Sequence, residues 1–533
     1  MSKGVLKKNT KKTKFKEIPK KDFRVVLVHL NGTLNMTSAG LHAFLEQEGY
    51  TAYSVFFREL NFFGGFPPTQ HELDVLVNLL KELNPSVLGM SVQSMSFWDC
   101  VDITKELKKN FSCPILWGGI QPMIDPARCL DYADIIVRGE AEEALVELFE
   151  RMRSGEKYTN VGNLWVRDKT GKIHKNNYRP LIQNLDAIPF PDYTDKNKYY
   201  IIHGIVHQQN PLPYYKYHYN ITTSRGCPMR CTFCFEHVLN REFNFKYLRR
   251  RSVDNVISEL KVALEQFPNI KHISFWDNIF TMDKAWVKEF SEKYHKEINL
   301  PFFCYGHASL IKDPEMIQAL YSAGMRYIFL GMQSGSEKIR RGVYKRSESN
   351  EDLRRAAEII KTYAPKAQLR FDTIMSDFET PETLREGISF LLTLPKPFQT
   401  NKNQMAYYLD FEITKTALEQ GIITQDDIAS VNREIRSQVA NEKDAIKKPF
   451  INYYYMIGRS YVPNWFIRTS LEKQWESRHP IAFSKFYKFF DFVDTKNEQI
   501  KRINMLVKEG EVGYVFKRLL GIKAEKPLIA KSF

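Results

Sequence analysis

Three cysteines stand close together in Cys227-Pro-Met-Arg-Cys231-Thr-Phe-Cys234, spaced C-x3-C-x2-C. Thiolates are the soft ligands that iron–sulfur clusters take, and a cubane [4Fe-4S] cluster has four irons, so three protein sulfurs leave one iron open to a small molecule. The alternatives are three cysteines packed as small hydrophobes, or two of them in a zinc site, which would want a fourth ligand at matching spacing. The triplet follows a run from Tyr217 to Thr223 that reads as a strand, the context such a ligand loop needs.

Positioning that loop falls to residues 217–425. Helical runs at Val253–Gln266, Trp286–Tyr294, Glu315–Ala323, Asn350–Tyr363 and Glu382–Thr393 alternate with strand runs at Ile270–Trp276, Phe302–Tyr305, Tyr327–Met332, Gln368–Met375 and Met405–Leu409. About six βα units argue a partial or full (β/α) barrel, whose chemistry collects at the carboxyl ends of its strands. Polar residues stand at those ends: Asp277 and Asn278, Tyr305 and His307, Gln333 and Ser334, Ser376 and Asp377. Tyr305 and His307 are candidates for touching substrate or donating a proton. Arg249, Arg250 and Arg251 precede the first barrel helix, where they could attract an anion or simply form a solvated face.

Residues 23–150 repeat strand and helix on a shorter scale, as a Rossmann-like doubly wound parallel sheet does. Its ligand loops should lie beyond the carboxyl ends of the strands. Three fit: Ser91–Ser94, which contains Gln93; Gly118-Gly119-Ile-Gln-Pro122; and Gly139-Glu140-Ala141-Glu142 at a helix start. Residues 151–216 read as a connector, with a hairpin around Asp168–Gly171 and a proline-broken stretch, Leu185–Asp192.

The chain has 533 residues, enough for several domains, with 43% hydrophobic residues and seven cysteines without regular pairing, which disfavours a disulfide framework and favours a reducing, cytoplasmic setting. No apolar run reaches the ~18 residues that span a bilayer. The net charge of +15 gathers at the ends. Residues 1–22 contribute +7 and read as a disordered basic tail; residues 451–533 contribute another +7. Residues 426–533 read as mostly helical. Phe483, Phe486, Tyr487 and Phe490 share one helical face, and with Lys485, Lys488, Lys501 and Arg502 they could make a peripheral membrane or lipid contact as well as a core. Specific nucleic-acid binding is not expected.

At Ser224-Arg225-Gly226-Cys227-Pro228 and Phe233-Cys234 the chain resembles the radical S-adenosylmethionine (SAM) enzymes. The resemblance implies that SAM chelates the open iron, with Phe233 against the adenine, Asp277 and Asn278 near the methionine amine, and Gln333 and Ser334 near the ribose and carboxylate. The fifth-strand segment Ile374-Met-Ser-Asp-Phe-Glu-Thr380 departs from the family pattern, with Met375 and Phe378 in place of glycines. The first domain is similar to the cobalamin-binding domain that precedes the radical SAM domain in one large subfamily, which implies cobalamin contacts at Ser91, Gln93, Gly118, Gly119, Gly139, Glu140 and Glu142. It lacks the Asp-x-His-x-x-Gly signature that supplies a histidine to cobalt. The function implied is a cobalamin-dependent C-methyltransferase acting on an unactivated carbon of a small-molecule or lipid-like substrate. SAM would serve as both methyl source and radical source, and a flavodoxin or ferredoxin would be the electron donor. Oxidative cyclisation or rearrangement by the same architecture is the alternative, and a non-catalytic sensor a third.

Overall fold

In a computed structural model of the chain the described residues are 17–30, 32, 36–58, 67–211, 217–244, 248–428, 444–460 and 462–478. They fall into two compact units.

The first unit grows from short runs of Val, Ile, Leu and Phe, which suit strands buried on both faces. The strands are β1 (Arg24–Leu30), β2 (Thr51–Phe57), β3 (Val87–Ser91), β4 (Ile115–Gly118), β5 (Ile135–Val137), β6 (Leu164–Arg167), β7 (Ile173–Lys175), β8 (Lys198–Ile202) and β9 (Ile205–His207), in the sheet order β7-β6-β5-β4-β3-β1-β2-β8-β9. Every pairing from β5 across to β8 is parallel, and the outer pairings are antiparallel. Alternate β1 residues serve opposite cores. Val26 and Val28 join Leu76, Leu80, Val101 and Leu107, while Val25 and Leu27 join Leu45, Leu145 and Leu148.

Chain order reverses between β1 and β3, since β2 lies beyond β1 on one side and β4 beyond β3 on the other. That is the switch point where such sheets open a ligand crevice. The stretch expected to be a connector extends this sheet instead. The Asp168 turn closes the β6–β7 hairpin, with Thr170 and Lys172 amides donating to Asp168 Oδ1 at 2.9 and 3.1 Å, and β8 pairs with β2. Buried Leu164, Val166, Tyr200 and Ile201 give those strands their reason to join.

In the second unit β10 (His218–Ile221) leads to β11 (Ser224–Arg225), which pairs antiparallel with β12 (Arg249–Arg250). Then follow β13 (His272–Phe275), β14 (Phe302–Gly306), β15 (Met325–Gln333), β16 (Gln368–Met375) and β17 (Gln399–Gln404). β10, β13, β14, β15, β16 and β17 form one six-stranded sheet in chain order, parallel throughout. Helices follow the strands, among them Val253–Gln266, Lys284–Glu297, Pro314–Ala323, Asn350–Tyr363 and Pro381–Leu391. This is an open barrel of six strands; among the described residues β10 and β17 do not pair.

The last strand was expected at Met405–Leu409 and lies instead at Gln399–Gln404. Its sequence QTNKNQ has no apolar face, and none of its residues is fully buried. Pairing to β16 holds it, with Thr400 Oγ1 donating to the Tyr454 carbonyl at 2.7 Å.

The helices Asp444–Ile457, Asn464–Glu472 and Trp475–Arg478 make up the described part of the helical end. Tyr453 and Tyr454 are buried there, as ordinary core. The aromatic face Phe483–Phe490 and most of the lysine tail lie outside the described residues. Among the described residues no helix is long and apolar enough to cross a membrane.

Candidate functional site

Gly226 takes φ +94° and turns the chain from β11 into the cysteine loop. Cys234 ends the loop as N-cap of the helix Phe235–Glu242. Loop and helix are tied by Cys234 N–H donating to the Cys231 carbonyl at 3.0 Å and by Asn240 Nδ2 donating to the Cys227 and Met229 carbonyls. Thr232 anchors the middle, its amide donating to the Tyr344 carbonyl (3.2 Å) and its hydroxyl to the Val343 carbonyl (2.9 Å). The loop is therefore held by backbone partners on both flanks.

Cys227 and Cys231 are buried and Cys234 is half-buried. Burial, then repulsion from Cys231, pushes the Cys227 thiol up to about 11; burial, then Cys231 and, further down, Cys227, pushes Cys234 up to about 12. Burial also raises Cys231, against the pull of Arg346. Among the described residues no three such side chains converge on one point, as a single zinc ion would need. A cubane asks less, since each cysteine binds a different iron, and cationic iron reverses the bias against thiolate. The three residues fit that cluster.

Two residues that the sequence left unremarked stand behind the loop. Arg346 brings a guanidinium nitrogen to 3.7 Å from Cys231 Sγ and pairs through Nε with Glu348. Glu348 in turn approaches His307 Nε2 at 3.1 Å, and His307 Nδ1 meets Ser309 Oγ at 2.8 Å. Burial opposes the charge on Glu348, but Arg346 and His307 outweigh it and hold the carboxylate down at about 2. His307 is buried, with Nε2 facing Glu348 and Nδ1 facing Ser309.

Asp277 is buried and accepts from the Thr223 amide (2.9 Å), Thr223 Oγ1 (2.8 Å) and Ser224 Oγ, so it fastens the strand entering the loop. Burial raises its pKa despite those donors and nearby Arg250. Asn278 is exposed and donates to Glu236, which burial lifts to about 7. Phe233 is half-buried, with its ring edge-on to Tyr344 at 5.2 Å. Gln333 ends β15 at φ +64° where the register with β16 slips, and its amide lies beside Gly331. Ser334 is buried and structural, its carbonyl accepting from Arg340 at 2.8 Å. Tyr305 is half-buried, and burial pushes its hydroxyl up to about 12.

Arg249–Arg251 form neither an anion lure nor a solvated face. Arg249 is buried, Arg250 donates to the Phe280 and Ile279 carbonyls and stacks 4.6 Å over Trp286, and Arg251 pairs with buried Glu259.

In the first unit Ser91, Gly118 and Gly119 meet at the carboxyl ends of β3 and β4, beside the switch point. Gly119 has φ +102°, and a Cβ there would sit 2.9 Å from the Val92 carbonyl oxygen. No side chain fits that turn. Gln121, two residues on, is fully buried with both amide atoms unpartnered, an orphan that a ligand amide or water would satisfy. Gln93 is exposed on the neighbouring turn. Gly139 (φ +76°) follows β5, whereas Glu140 is tied down by the Ile182 amide (2.9 Å) and Asn163 (2.7 Å, to the Glu140 carbonyl). Glu142 opens the helix Glu142–Ser154. A glycine-floored crevice with an orphan amide fits the corrin rim of cobalamin, which is lined with amides.

Family models match the chain in two places: the B12 binding domain over residues 35–149 and the radical SAM superfamily over residues 221–391. Among curated proteins it is similar to an uncharacterized methyltransferase of Pyrococcus horikoshii (26% identical, covering 50% of this chain and 55% of that one) and to cytidylyl-2-hydroxyethylphosphonate methyltransferase of Streptomyces wedmorensis (26%, covering 54% and 57%). The anaerobic magnesium-protoporphyrin IX monomethyl ester cyclase of Rubrivivax gelatinosus is similar at 22% (57% and 53%). The chain spans about half the length of these curated relatives. Its fold matches the cobalamin-dependent SAM radical enzyme OxsB (TM-score 0.62, 18% identical, covering 91% of this chain and 75% of that one) and the radical SAM methyltransferase TsrM from Kitasatospora setae (TM-score 0.60, 18%, covering 75% and 76%).

Proposed function

We propose that this chain is a radical SAM enzyme with a B12 binding domain ahead of its radical SAM domain, and that it transfers a methyl group from SAM to an unactivated carbon. The observation that carries this reading is the joint presence of a three-thiol loop at the carboxyl end of a parallel barrel and a glycine-floored crevice at a Rossmann-type switch point. When bound, the cluster supplies the electron that cleaves SAM and cobalamin carries the methyl group.

The protein's own part is to hold and orient. Cys227, Cys231 and Cys234 would ligate three irons, and Asp277 and Thr232 keep the loop in place. Phe233, Gln333 and Asn278 would contact SAM, with Asp277 holding Thr223 and Ser334 holding the Ser336 amide beside them. Tyr305, pushed up to about 12, stays a neutral hydroxyl throughout the working range. In the other unit Gln121, Ser91 and Gly119 would receive the edge of the corrin.

Anaerobic reconstitution with iron, sulfide and hydroxocobalamin, followed by incubation with a reductant and methyl-labelled SAM, tests the proposal. The expected results are a broad visible cluster absorption, retained corrin bands, 5′-deoxyadenosine as product, and label in the methylated substrate. A protein that makes 5′-deoxyadenosine but leaves the label in methionine or SAM would favour cyclisation, the activity of the Rubrivivax relative. One that makes none would sink the enzyme reading.

A further inference from the structure

Strands of the six-stranded sheet alternate between a face buried under helices and a face left partly open. β15 and β16 show it residue by residue, with Ile328, Leu330, Leu369 and Phe371 buried and Tyr327, Phe329, Arg370 and Asp372 half-exposed. Barrel interiors are ordinarily filled by branched aliphatic residues. This one presents Trp276, Phe303, Tyr305, Phe329 and Arg370. Trp276 lies 5.1 Å from Phe303 and 6.0 Å from Tyr305, centroid to centroid, and is 42% exposed, so the aromatic wall has a free surface.

Register sets the depth of that wall. Tyr305 pairs with Phe329 and Phe329 with Arg370, so the three lie on one level. Gly331, Asp372 and Asn401 form the next level toward the carboxyl ends, about 7 Å up at strand rise. Arg346 reaches that upper level: its guanidinium would lie 3.2 Å from a Cβ on Gly331, and it also touches Cys231 Sγ. The wall therefore begins one layer beneath the cysteine loop.

Arg370 is the odd member. Its guanidinium rests 5.2 Å from the Phe329 ring centroid and 5.5 Å from that of Tyr327. Arg250, Arg251, Arg340 and Arg346 all spend their guanidinium groups on carbonyls or carboxylates. Among the described residues Arg370 has no such partner, and its Nε is buried without one. The neighbouring Asp372 gives its Oδ1 to Asn401 at 2.9 Å. A guanidinium stacked on aromatic rings, its Nε buried without a hydrogen-bond partner and the Asp372 carboxylate acting on it only from beyond ion-pair distance, is a recognition group for an oxyanion.

We propose that this face binds a substrate with a flat apolar body bearing an oxyanion, the anion forked by Arg370 and the body lying against Trp276, Tyr305 and Phe329. The inference rests on the radical SAM reading only for which end of the wall is reactive.

Calorimetry on the reconstituted protein tests it with three probes of one shape: 2-naphthoate, 2-naphthyl phosphate and 2-naphthamide. Wild type should bind at least one anion about tenfold or more tightly than the amide, the gain expected of a charge-assisted pair. Whichever anion binds tighter names the oxyanion. Arg370→Gln should erase the preference, and Arg370→Lys should keep part of it. Equal binding of anions and amide, or no binding of any probe at millimolar concentration, overturns the proposal. The wild-type comparison stands even if the variants misfold. Release of 5′-deoxyadenosine by the same wild-type preparation tests the functional reading separately, so either can fail alone.

Discussion

Glu348 is fully buried as a carboxylate, and Arg346 is its main compensation. Removing one partner of a buried pair strands the other charge, which costs about 3–5 kcal/mol. Arg346→Ala should therefore destabilise the second unit by that order in urea unfolding, while Arg346→Met with Glu348→Gln should recover much of the loss. A loss no larger for the single than for the double substitution would mean the pair is not what holds this corner. Neither residue was legible in the sequence, because an arginine and a glutamate around a serine in a polar loop look like any solvated turn. Their meaning comes from Cys231, 115 residues earlier, and His307.

His29 and His42 test burial in the first unit. Burial, then His42, drives His29 down to about 3; burial, then Lys198, drives His42 down to about 4; both start from 6.5. Both are depressed, so between pH 6.5 and those values the unfolded chain binds protons that the folded chain refuses. Stability must fall as the pH drops below 6.5, by up to ~1.4 kcal/mol per pH unit for each histidine, and level off only below the folded values. His29→Leu should flatten that limb of an unfolding-versus-pH curve, and an unchanged slope would show that His29 titrates freely.

At the scale of elements, legibility followed the apolar pattern. The helices Val253–Gln266 and Asn350–Tyr363, and β16, fall where hydrophobic spacing placed them, residue for residue. The start of helix Gln70–Leu83 is set by a Thr69–Glu72 capping box and not by an apolar residue, so apolar spacing alone does not mark it. β17 escaped because a strand with six polar residues announces itself only through its neighbour. The loops behaved similarly. Gly119 was legible as a turn glycine, as its positive φ shows, yet nothing in a Gly-Gly-Ile-Gln run says that the Gln121 side chain ends up buried without a partner. Gly119→Ala would force a Cβ against the Val92 carbonyl at positive φ, costing about 1–3 kcal/mol. Hydroxocobalamin retention after gel filtration should drop sharply, and full retention would place the corrin elsewhere.

At the scale of the molecule, the residues described at each site belong to one unit. The cysteine loop draws on Thr223, Asp277, Val343, Tyr344 and Arg346, all in the second unit, and the crevice on Ser91, Val92, Gly119 and Gln121, all in the first. Each unit also has its own buried core, as in Leu76, Trp117 and Leu148 on one side and Phe275, Ile328 and Leu391 on the other. Loading of the two groups should then be separable. Cys231→Ala leaves a cubane two thiolates where three are needed, so iron and visible absorption after reconstitution should fall several-fold while corrin retention stays at the wild-type level. Gly119→Ala should show the reverse, with normal iron and little corrin. If either substitution removed both groups together, the expectation of separable loading would fail.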